Sequence, residues 1–344
     1  MTQDQAASSV ANTAPTRVIV AIDVGGTGMK CALVDDAGTV RHAERHGTGR
    51  ERGPDAVVST IVEVAAALAD RARADGLRAV AAGVVVPGIV NEVSGVAEWS
   101  ANLGFREVPL RDLVAKRLDL PTALGHDVRA GALAEARLGA GRTARRMHFV
   151  AIGTGIAGGY VIDGRVDGGA HGASGEIGHI VVRTGPDAPE CGCGGRGCLE
   201  AIASAASIAR SYAASRASVP AGSPYWALDA SGATLLEVGG DVSAEEVARR
   251  AAAGEPVAAA VWSGAVSALA DGLLTGIALY DPEVIVLGGG LAEAGPLLLE
   301  PLREALEQRR TFHRLPRLAR AELGDEAGCL GAALLALDLI GAVR

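Results

Sequence analysis

Glycine-rich turns directly follow apolar β-strand patterns at three places in this chain. The first turn is Asp23-Val24-Gly25-Gly26-Thr27-Gly28, the second is Gly153-Thr154-Gly155, and the third is Gly288-Gly289-Gly290. Glycine lets backbone N–H groups approach an anion closely, so each turn can form a concave cradle for phosphate. Each turn alone is also typical of an ordinary connection, but three together favour a nucleotide-binding α/β protein.

Strand and helix patterns alternate along the chain in two series. Each series opens with two strand patterns around a glycine-rich turn, at 18–22 with 29–34 and at 147–152 with 160–166. Hydrophobic periodicity then predicts helices and further strands. The helices are 54–73, 109–118, 128–138 with Asp127 as N-cap, 199–215, 243–252, 255–280, 296–309 and 327–340; the strands are 80–86, 121–125, 284–287 and 317–321. The pattern predicts two related α/β domains facing a cleft.

Length and charge limit the partners of the protein. A chain of 344 residues has room for about two domains. The formal net charge of −8 disfavours nonspecific binding to nucleic acid or to an anionic membrane. The first 16 residues are polar, with no apolar signal-peptide core, and no apolar run reaches about 18 residues without a charge. We therefore expect a cytoplasmic protein that acts on small molecules, with neither a nucleic-acid nor a membrane partner.

Three of the five cysteines lie within eight residues, at Cys191, Cys193 and Cys198, and His179 precedes them by twelve residues. Three thiolates and one imidazole complete a tetrahedral zinc site and leave no position for substrate, so the predicted Zn²⁺ is structural. Free thiols on a flexible loop are the alternative. Cys31 and Cys329 lie in apolar contexts and are predicted to be core residues.

These patterns predict the domain boundaries. We expect residues 1–16 to form a disordered tail and residues 17–126 to form an N-terminal α/β domain, joined by the final helix at about 331–344. Residues 127–330 are expected to form a larger C-terminal α/β domain with the zinc loop at 175–200. The segment 220–240, with its Gly, Ser and Pro residues, is predicted to be an exposed loop.

Four carboxylates are candidates for chemistry. Asp127 is predicted at the start of a helix, where it can cap the helix, act as a general base, or do both. Glu176 and Glu200 flank the cysteine segment and can accept paired sugar hydroxyls, although isolated acids are usually solvated surface groups. Asp23 ends a predicted strand, where a carboxylate can hold the hydrated Mg²⁺ that accompanies ATP. The sequence contains no GxGxxG between a predicted strand and a predicted helix and no GxxxxGK[ST] P-loop, which argues against those two modes of nucleotide binding.

Taken together, these motifs closely resemble the ROK family (repressor, open reading frame, kinase) of bacterial sugar kinases, from about Val18 to the C-terminus. Asp23 to Thr27 is similar to the family's first phosphate motif, and Ile152 to Gly159 to its second. The stretch Gly175-Glu176-Ile177-Gly178-His179, followed by residues 191–200, resembles its zinc and sugar signature. The resemblance implies two actin-like (RNase H-like) α/β domains that flank an interdomain cleft, with a zinc-binding loop.

The resemblance also implies an activity and a set of site residues. The activity is ATP-dependent phosphorylation of a hexose at its 6-hydroxyl, glucose above all, with Asp127 as the general base. The cofactors are then ATP, Mg²⁺ and a structural Zn²⁺, and the family favours homodimers or homotetramers. The implied sugar-binding residues are Gly88, Asn102, His126, Glu176, His179 and Glu200. The implied nucleotide-binding residues are Asp23, Gly25, Gly26, Thr27, Lys30, Gly153, Thr154, Gly155, Gly288, Gly289 and Gly290.

The sequence departs from the family pattern at two positions. Gly28 stands where the family often has lysine, and Lys30 follows two residues later. Because side chains alternate along a strand, Lys30 can face the same side as residue 28 and reach phosphate. His126 stands where asparagine is usual before the catalytic aspartate, so it is either a sugar contact that alters specificity or a packed residue at the strand end.

Three other functions compete with a glucose kinase. A kinase for N-acetylglucosamine or N-acetylmannosamine would use the same catalytic residues. A polyphosphate-dependent glucokinase would need a basic channel, and the chain has only two lysines. A sugar-responsive regulatory protein would need neither Asp127 nor kinase activity. About 17 residues precede Val18, too few for a helix-turn-helix motif, which disfavours DNA binding.

Overall fold

The computed structural model describes residues 14–217 and 242–341. The strands are β1 Arg17–Val24, β2 Gly28–Asp35, β3 Val40–Gly47, β4 Arg78–Val86, β5 Ile89–Asn91, β6 Val96–Ser100, β7 Phe105–Val108, β8 Thr122–His126, β9 Arg146–Ile152, β10 Ile156–Ile162, β11 Arg165–Asp167, β12 Val284–Gly288 and β13 Arg317–Arg320. The α-helices are α1 Pro54–Ala74, α2 Leu110–Leu118, α3 Asp127–Arg137, α4 Leu199–Ala203, α5 Ala205–Ala217, α6 Ala244–Ala252, α7 Pro256–Tyr280, α8 Pro296–Arg309 and α9 Ala327–Leu339. Residues 1–13 of the predicted tail and the predicted loop at 220–240 lie outside the described residues.

Two five-stranded sheets repeat one topology. The first has the strand order β3-β2-β1-β4-β8 and the second has the order β11-β10-β9-β12-β13. In each sheet the first three strands in chain order are antiparallel neighbours, and the two added on the other side are parallel. A parallel neighbour requires a crossover connection, which α1 supplies between β1 and β4 together with the β2–β3 hairpin. The prediction of two related α/β units is confirmed.

Helices α3 and α9 occupy the space between the two sheets. Ala130, Leu133 and Ala134 of α3 share a buried cluster with α9 and the first sheet. Ala132 and Ala136, on the other face of α3, pack against the second sheet. Small side chains dominate this face, which lets α3 lie close to both neighbours. Any movement of one sheet relative to the other therefore requires α3 to shift against at least one of them.

The remaining core supports these two sheets from outside. Helices α1 and α2 cover the outer face of the first sheet, and α4 to α8 cover that of the second. Helix α7 is long and apolar enough, by length and composition alone, to cross a membrane. Half of its most apolar window is buried, against α4, α5, α6 and α8. The central helix of a globular core meets the same criterion.

Three predicted elements are wrong in detail. The strand predicted at 160–166 begins earlier, at Ile156, and ends at Ile162, and β11 follows it. The glycines at 158 and 159 suggested a turn, but Gly159 lies in β10 where a Cβ would approach the Ala132 Cβ to 2.6 Å. The helix predicted at 199–215 is interrupted at Ser204, whose hydroxyl accepts a bond from the Ser207 N–H and starts α5.

The third correction concerns the N-cap of α3. His126, and not Asp127, is the capping residue, because its Nδ1 accepts a hydrogen bond from the Arg129 N–H at 3.4 Å. Asp127 is the first helical residue.

Four strands, β3 and β5 to β7, were not predicted. β3 has the residues VRHAERHG, which contain no apolar run, and β5 to β7 are only three to five residues long.

Candidate active site

The carboxyl ends of three parallel strands define the first part of the site. β1, β4 and β8 are neighbours, with Asp23 opposite Val85 and Val86 opposite His126. Asp23, Gly88 and Asp127 therefore lie at one edge of the first sheet. In open α/β sheets this is the edge where ligands bind.

Asp127 is held at this edge by the first turn of α3. Its Oδ1 accepts a hydrogen bond from the Val128 N–H at 2.7 Å and lies 3.3 Å from Nδ1 of His126. The Asp127 side chain is 27% exposed, whereas that of His126 is only 7% exposed. Asp127 thus presents a fixed carboxylate to the edge, and His126 packs below it at the strand end.

Burial and charge set the protonation of this group. The pKa of Asp127 is raised by burial, against the opposing effects of the Val128 N–H and the Arg129 charge. Burial and the nearby Asp127 carboxylate raise the pKa of Asp23 to about 6, although Lys30 opposes this shift. Burial lowers the pKa of His126 to about 4, so its imidazole is neutral and Nδ1 is free to cap α3. The edge therefore holds two acidic groups with a raised proton affinity.

The first glycine turn joins β1 to β2 beside these carboxylates. The Gly25 N–H donates to the Gly28 carbonyl at 2.8 Å, which closes the turn, and Thr27 at its tip is exposed. Asn102 lies next to the turn, with its Cβ 3.7 Å from the position of a Cβ on Gly26. Gly88 has a φ of +109°, and a Cβ there would lie 2.2 Å from the Trp99 carbonyl oxygen. Only glycine fits at position 88.

Lys30 faces the same edge, as strand alternation predicts. It lies opposite Asp23 in the β1–β2 register, and its Nζ is 3.9 Å from Asp23 Oδ2 and 3.3 Å from Asp325 Oδ1. Arg45 donates to the other Asp325 oxygen at 2.9 Å. The cation at position 30 is therefore beside the predicted phosphate turn, between two carboxylates.

The second and third glycine turns lie together at the edge of the second sheet. β9 and β12 are parallel neighbours, with Gly288 opposite Ala151, and a Cβ on Gly289 would lie 2.5 Å from the Ile152 carbonyl oxygen. Gly153 and Gly290 have no neighbour within 4 Å of a Cβ position, so both adjoin open space. The sequence separates these turns by more than 130 residues, and the sheet brings them into contact.

Glu200 contacts the second turn directly. Its Oε2 accepts a hydrogen bond from the Ile156 N–H at 2.8 Å and occupies the space beside Gly155, 2.5 Å from a Cβ position there. Thr154, between the two glycines, is exposed. The predicted sugar ligand therefore also holds the predicted phosphate turn, a contact that its sequence position did not indicate.

His179 stands between the cysteine cluster and Glu176. Its Nδ1 lies 3.7 Å from the Cys191 sulfur, and its Nε2 lies 3.9 Å from Glu176 Oε2. The two ring nitrogens thus point to different partners, so one can bind a metal while the other faces a substrate hydroxyl.

The four predicted metal ligands fit a zinc ion. The ligand atoms of His179, Cys191, Cys193 and Cys198 all lie within 4.8 Å of one another, and the sulfurs of Cys193 and Cys198 are 3.8 Å apart. A tetrahedron with Zn–S bonds of about 2.3 Å has sulfurs about 3.8 Å apart. Burial and the adjacent thiols raise the pKa of Cys198 to about 12, and a bound cation would stabilise its thiolate. Cys31 and Cys329 are buried in the core, as predicted.

Arg129 and Glu92 belong to this region and were missed by the sequence interpretation. Arg129 lies two residues after Asp127, and its side chain is only 3% exposed. It donates to Glu92 Oε1 at 3.0 Å and to the Gly172 carbonyl at 2.7 Å. A basic residue in a helix carries no signal of such burial, because arginine is usually exposed.

Comparison with known proteins places this geometry in a family. The family model described as ROK family matches residues 19–339. The chain belongs to the ROK family. It is 32% identical to a glucokinase from Thermotoga maritima over 95% of this chain and 99% of the relative. It is 33% identical to an N-acetylmannosamine kinase from Citrobacter koseri over 92% of this chain and 98% of the relative.

A solved ROK structure supports the same assignment. The ROK family glucokinase from Streptomyces griseus, in complex with glucose and AMPPNP, superimposes with a TM-score of 0.73 at 27% identity. The match covers 93% of this ROK protein and 99% of that chain. The expected family and the actin-like ATPase fold are confirmed. The residue roles and the domain boundaries stay predictions.

Proposed function

We propose that this ROK protein is an ATP-dependent hexose kinase that phosphorylates glucose at the 6-hydroxyl. The observation that carries the proposal is the position of Asp127, a partly exposed carboxylate at the sheet edge that also holds Asp23 and the first glycine turn. The names of two relatives, a glucokinase and a glucokinase bound to glucose and AMPPNP, support both the sugar and the donor.

Asp127 is the general base in the proposed reaction. As the sugar O6 attacks the γ-phosphorus, the O6 proton passes to the Asp127 carboxylate, and the bond from the γ-phosphorus to the bridging oxygen of ADP breaks. The Val128 N–H fixes one carboxylate oxygen, which leaves the other to accept the proton. Burial raises the pKa of Asp127 and so favours proton acceptance, whereas the Val128 N–H and the Arg129 charge oppose this rise.

The proposed nucleotide site consists of the three glycine turns and Asp23. Gly25, Gly26 and Thr27 would contact phosphate, with Gly153, Thr154, Gly155 and the turn at 288–290 on the opposite sheet. Asp23 is the carboxylate suited to a hydrated Mg²⁺, because burial and the Asp127 carboxylate raise its pKa to about 6 even with Lys30 nearby, so a further cation would stabilise its ionised form. Mg²⁺ when bound would neutralise charge on the phosphates, and Lys30 is close enough to add a second cation.

The proposed sugar site consists of Gly88, Asn102, Glu176, His179 and Glu200, and His126 packs beneath it at the strand end. Zn²⁺ when bound would fix the His179 ring through Nδ1 and leave Nε2 beside Glu176. Glu200 links the two sites, because its carboxylate also binds the Ile156 N–H after the second turn. Sugar binding and the position of a phosphate turn would therefore depend on one side chain.

The proposal extends to the whole protein. Residues 17–126 with the final helix would form one domain and residues 127–330 the other, in line with the packing of α9 against β1, β4 and β8. The protein would act in the cytoplasm as a homodimer or homotetramer, with a sugar and ATP as its ligands and without nucleic acid or membrane.

A coupled assay tests the proposed function. Glucose, mannose, fructose, N-acetylglucosamine and N-acetylmannosamine are each offered with ATP and with polyphosphate, and ADP and sugar phosphate are measured. We expect the highest kcat/KM for glucose with ATP. A preference for an acetylated sugar or for polyphosphate would select the corresponding alternative kinase, and sugar binding without any transfer would favour the regulatory protein.

The same assay tests the general base. Asp127→Asn is expected to lower kcat by roughly 10²- to 10⁴-fold and to change glucose affinity little, because the amide keeps the hydrogen bonding but accepts no proton. Asp112→Asn is the matched control, since Asp112 is also an acid in the first turn of a helix, α2. Near-normal turnover of Asp127→Asn would overturn the assignment.

A further inference from the structure

Arg129 makes a buried three-way junction next to the proposed base. Its Nε and Nη2 donate to Glu92 Oε1 at 3.3 and 3.0 Å, and its Nη1 donates to the Gly172 carbonyl at 2.7 Å. Glu92 directly follows β5, and Gly172 lies in the segment between β11 and Glu176. One guanidinium therefore joins the helix of Asp127, the small sheet and the segment before Glu176.

This arrangement is unfavourable for an isolated arginine. Arg129 lies in the first turn of α3, where the helix dipole disfavours a positive charge. Burial of the charge adds a further cost that only well-placed partners offset. An apolar side chain at this buried position would avoid both costs, so stability alone gives no reason for arginine here.

The segment that Arg129 holds leads directly to the predicted sugar ligands. Gly172 has a φ of +70°, and a Cβ there would lie 3.0 Å from the Val90 carbonyl oxygen, so this point packs against β5. Three residues later the Gly175 carbonyl accepts a hydrogen bond from the Gly158 N–H of β10 at 2.7 Å. The chain between these two anchors is short, and Glu176 follows the second anchor at once. The position of Gly172 therefore limits where Glu176 can lie.

We propose that Arg129 is a positioning residue for sugar binding, which holds residues 168–176 against α3 while Glu92 fixes its guanidinium from the small sheet. The inference rests on the proposed function for the identity of the ligand, a hexose. The restraint of residues 168–176 by Arg129 does not depend on that function. The fork shape of the guanidinium matters, because a lysine ammonium cannot reach both partners with the same geometry.

The chain offers a matched control on the same helix. Arg137 of α3 also binds a carboxylate, Asp338, and a loop carbonyl, Gly164, at 2.8 and 2.9 Å. Its partners lie in α9 and in the β10–β11 turn and not in the proposed site. Arg137→Met therefore removes an equivalent junction from α3 without touching the segment before Glu176.

Hydrogen exchange and steady-state kinetics test the proposal on the full chain. In Arg129→Met we expect faster amide exchange at 168–176, a rise in glucose KM of roughly tenfold or more, and an unchanged ATP KM. Arg129→Lys and Glu92→Gln are expected to give the same pattern with smaller changes. Arg137→Met is expected to speed exchange near Gly164 and to leave glucose KM unchanged.

Two outcomes separate this inference from the proposed function. Unchanged exchange at 168–176 together with an unchanged glucose KM in Arg129→Met would overturn the positioning role. If the wild-type chain phosphorylates no hexose, the proposed function fails, but the exchange measurement still supports or overturns the restraint. If Arg129→Met does not fold, Arg129→Lys and Glu92→Gln give the same comparison.

Discussion

Asp23 occupies a position where folding disfavours its ionised form. Burial and the Asp127 carboxylate raise its pKa from 3.8 to about 6, and a raised carboxyl pKa means that the native state binds the proton more tightly than the unfolded state. Stability then falls as pH rises from about 4 to about 6, and the full penalty is present above that range. A site that holds Mg²⁺ and phosphate would keep such a carboxylate despite its cost in stability.

Asp23→Asn is therefore expected to stabilise the protein at neutral pH and to abolish its kinase activity. The expected gain is on the order of 1–3 kcal/mol at pH 7.5 in Mg²⁺-free buffer, and it should disappear below about pH 4. Thermal unfolding at both pH values measures it. Asp35→Asn is the control and is expected to lower stability at pH 7.5. Hydrogen bonds from the Thr39 and Ala37 N–H groups and from Arg41 outweigh burial and lower the pKa of Asp35, so folding favours its ionised form. A loss of stability in Asp23→Asn at pH 7.5 would contradict this account.

At the scale of elements, the hydrophobic pattern predicted the buried strands and helices. It failed for residues whose structure depends on contacts with residues distant in the sequence. β1, β4, β9 and β12 are apolar runs between turns, and their existence followed from the sequence. β3 is an edge strand whose charged residues pair with β2, so only the partner reveals it. Gly158 and Gly159 suggested a turn because a single sequence does not show their close neighbours, the Phe149 carbonyl beside Gly158 and Ala132 of α3 beside Gly159. The capping role of His126 and the burial of Arg129 also depend on partners distant in sequence.

The contact between α3 and α9 gives a prediction about glycine. A Cβ on Gly331 of α9 would lie 2.1 Å from the Ala130 carbonyl oxygen of α3, so Gly331→Ala must push the helices apart. We expect a loss of about 1–3 kcal/mol in the free energy of unfolding. Gly264, in α7, has no neighbour within 4 Å of a Cβ position, and Gly264→Ala should gain about 0.5–1 kcal/mol from helix propensity. Urea unfolding compares the two, and equal effects would contradict the packing argument.

The zinc loop gives a second prediction at this scale. Removal of Zn²⁺ by a chelator is expected to abolish sugar phosphorylation, because His179 and the segment of Glu176 lose their anchor. The two five-stranded sheets do not depend on the metal, so circular dichroism should change little. Zinc content, glucose binding and turnover are measured before and after chelation, and again after Zn²⁺ is restored. A metal-free protein with unchanged turnover would show that the loop needs no metal for this role.

At the scale of the whole molecule, the repeated sheet explains why glycine turns far apart in the sequence recur at equivalent places in the fold. Duplication of one topology places a glycine turn after the first strand of each sheet, and the third follows a parallel neighbour in the second sheet. The sequence predicted this organisation because the strand–turn–strand pattern recurs. It did not predict that α3 lies between the sheets, because its two apolar faces consist mostly of alanine, whose small side chain does not show which face is buried against which sheet.

We expect closure of the two domains to exclude water from the proposed site, and α3 lies between the sheets that would move. Asp127 at the start of α3 is fixed to the first sheet, while Gly159 of the second sheet packs against the same helix. Closure around glucose would bring the 6-hydroxyl, rather than water, to the γ-phosphate. Xylose carries the same ring hydroxyls without the hydroxymethyl group, so it should promote closure and leave space for one water. We therefore expect slow ATP hydrolysis without sugar, faster hydrolysis with xylose, and no stimulation by xylose in Asp127→Asn. ADP release measures all three, and hydrolysis without sugar as fast as transfer to glucose would rule out closure as the step that excludes water.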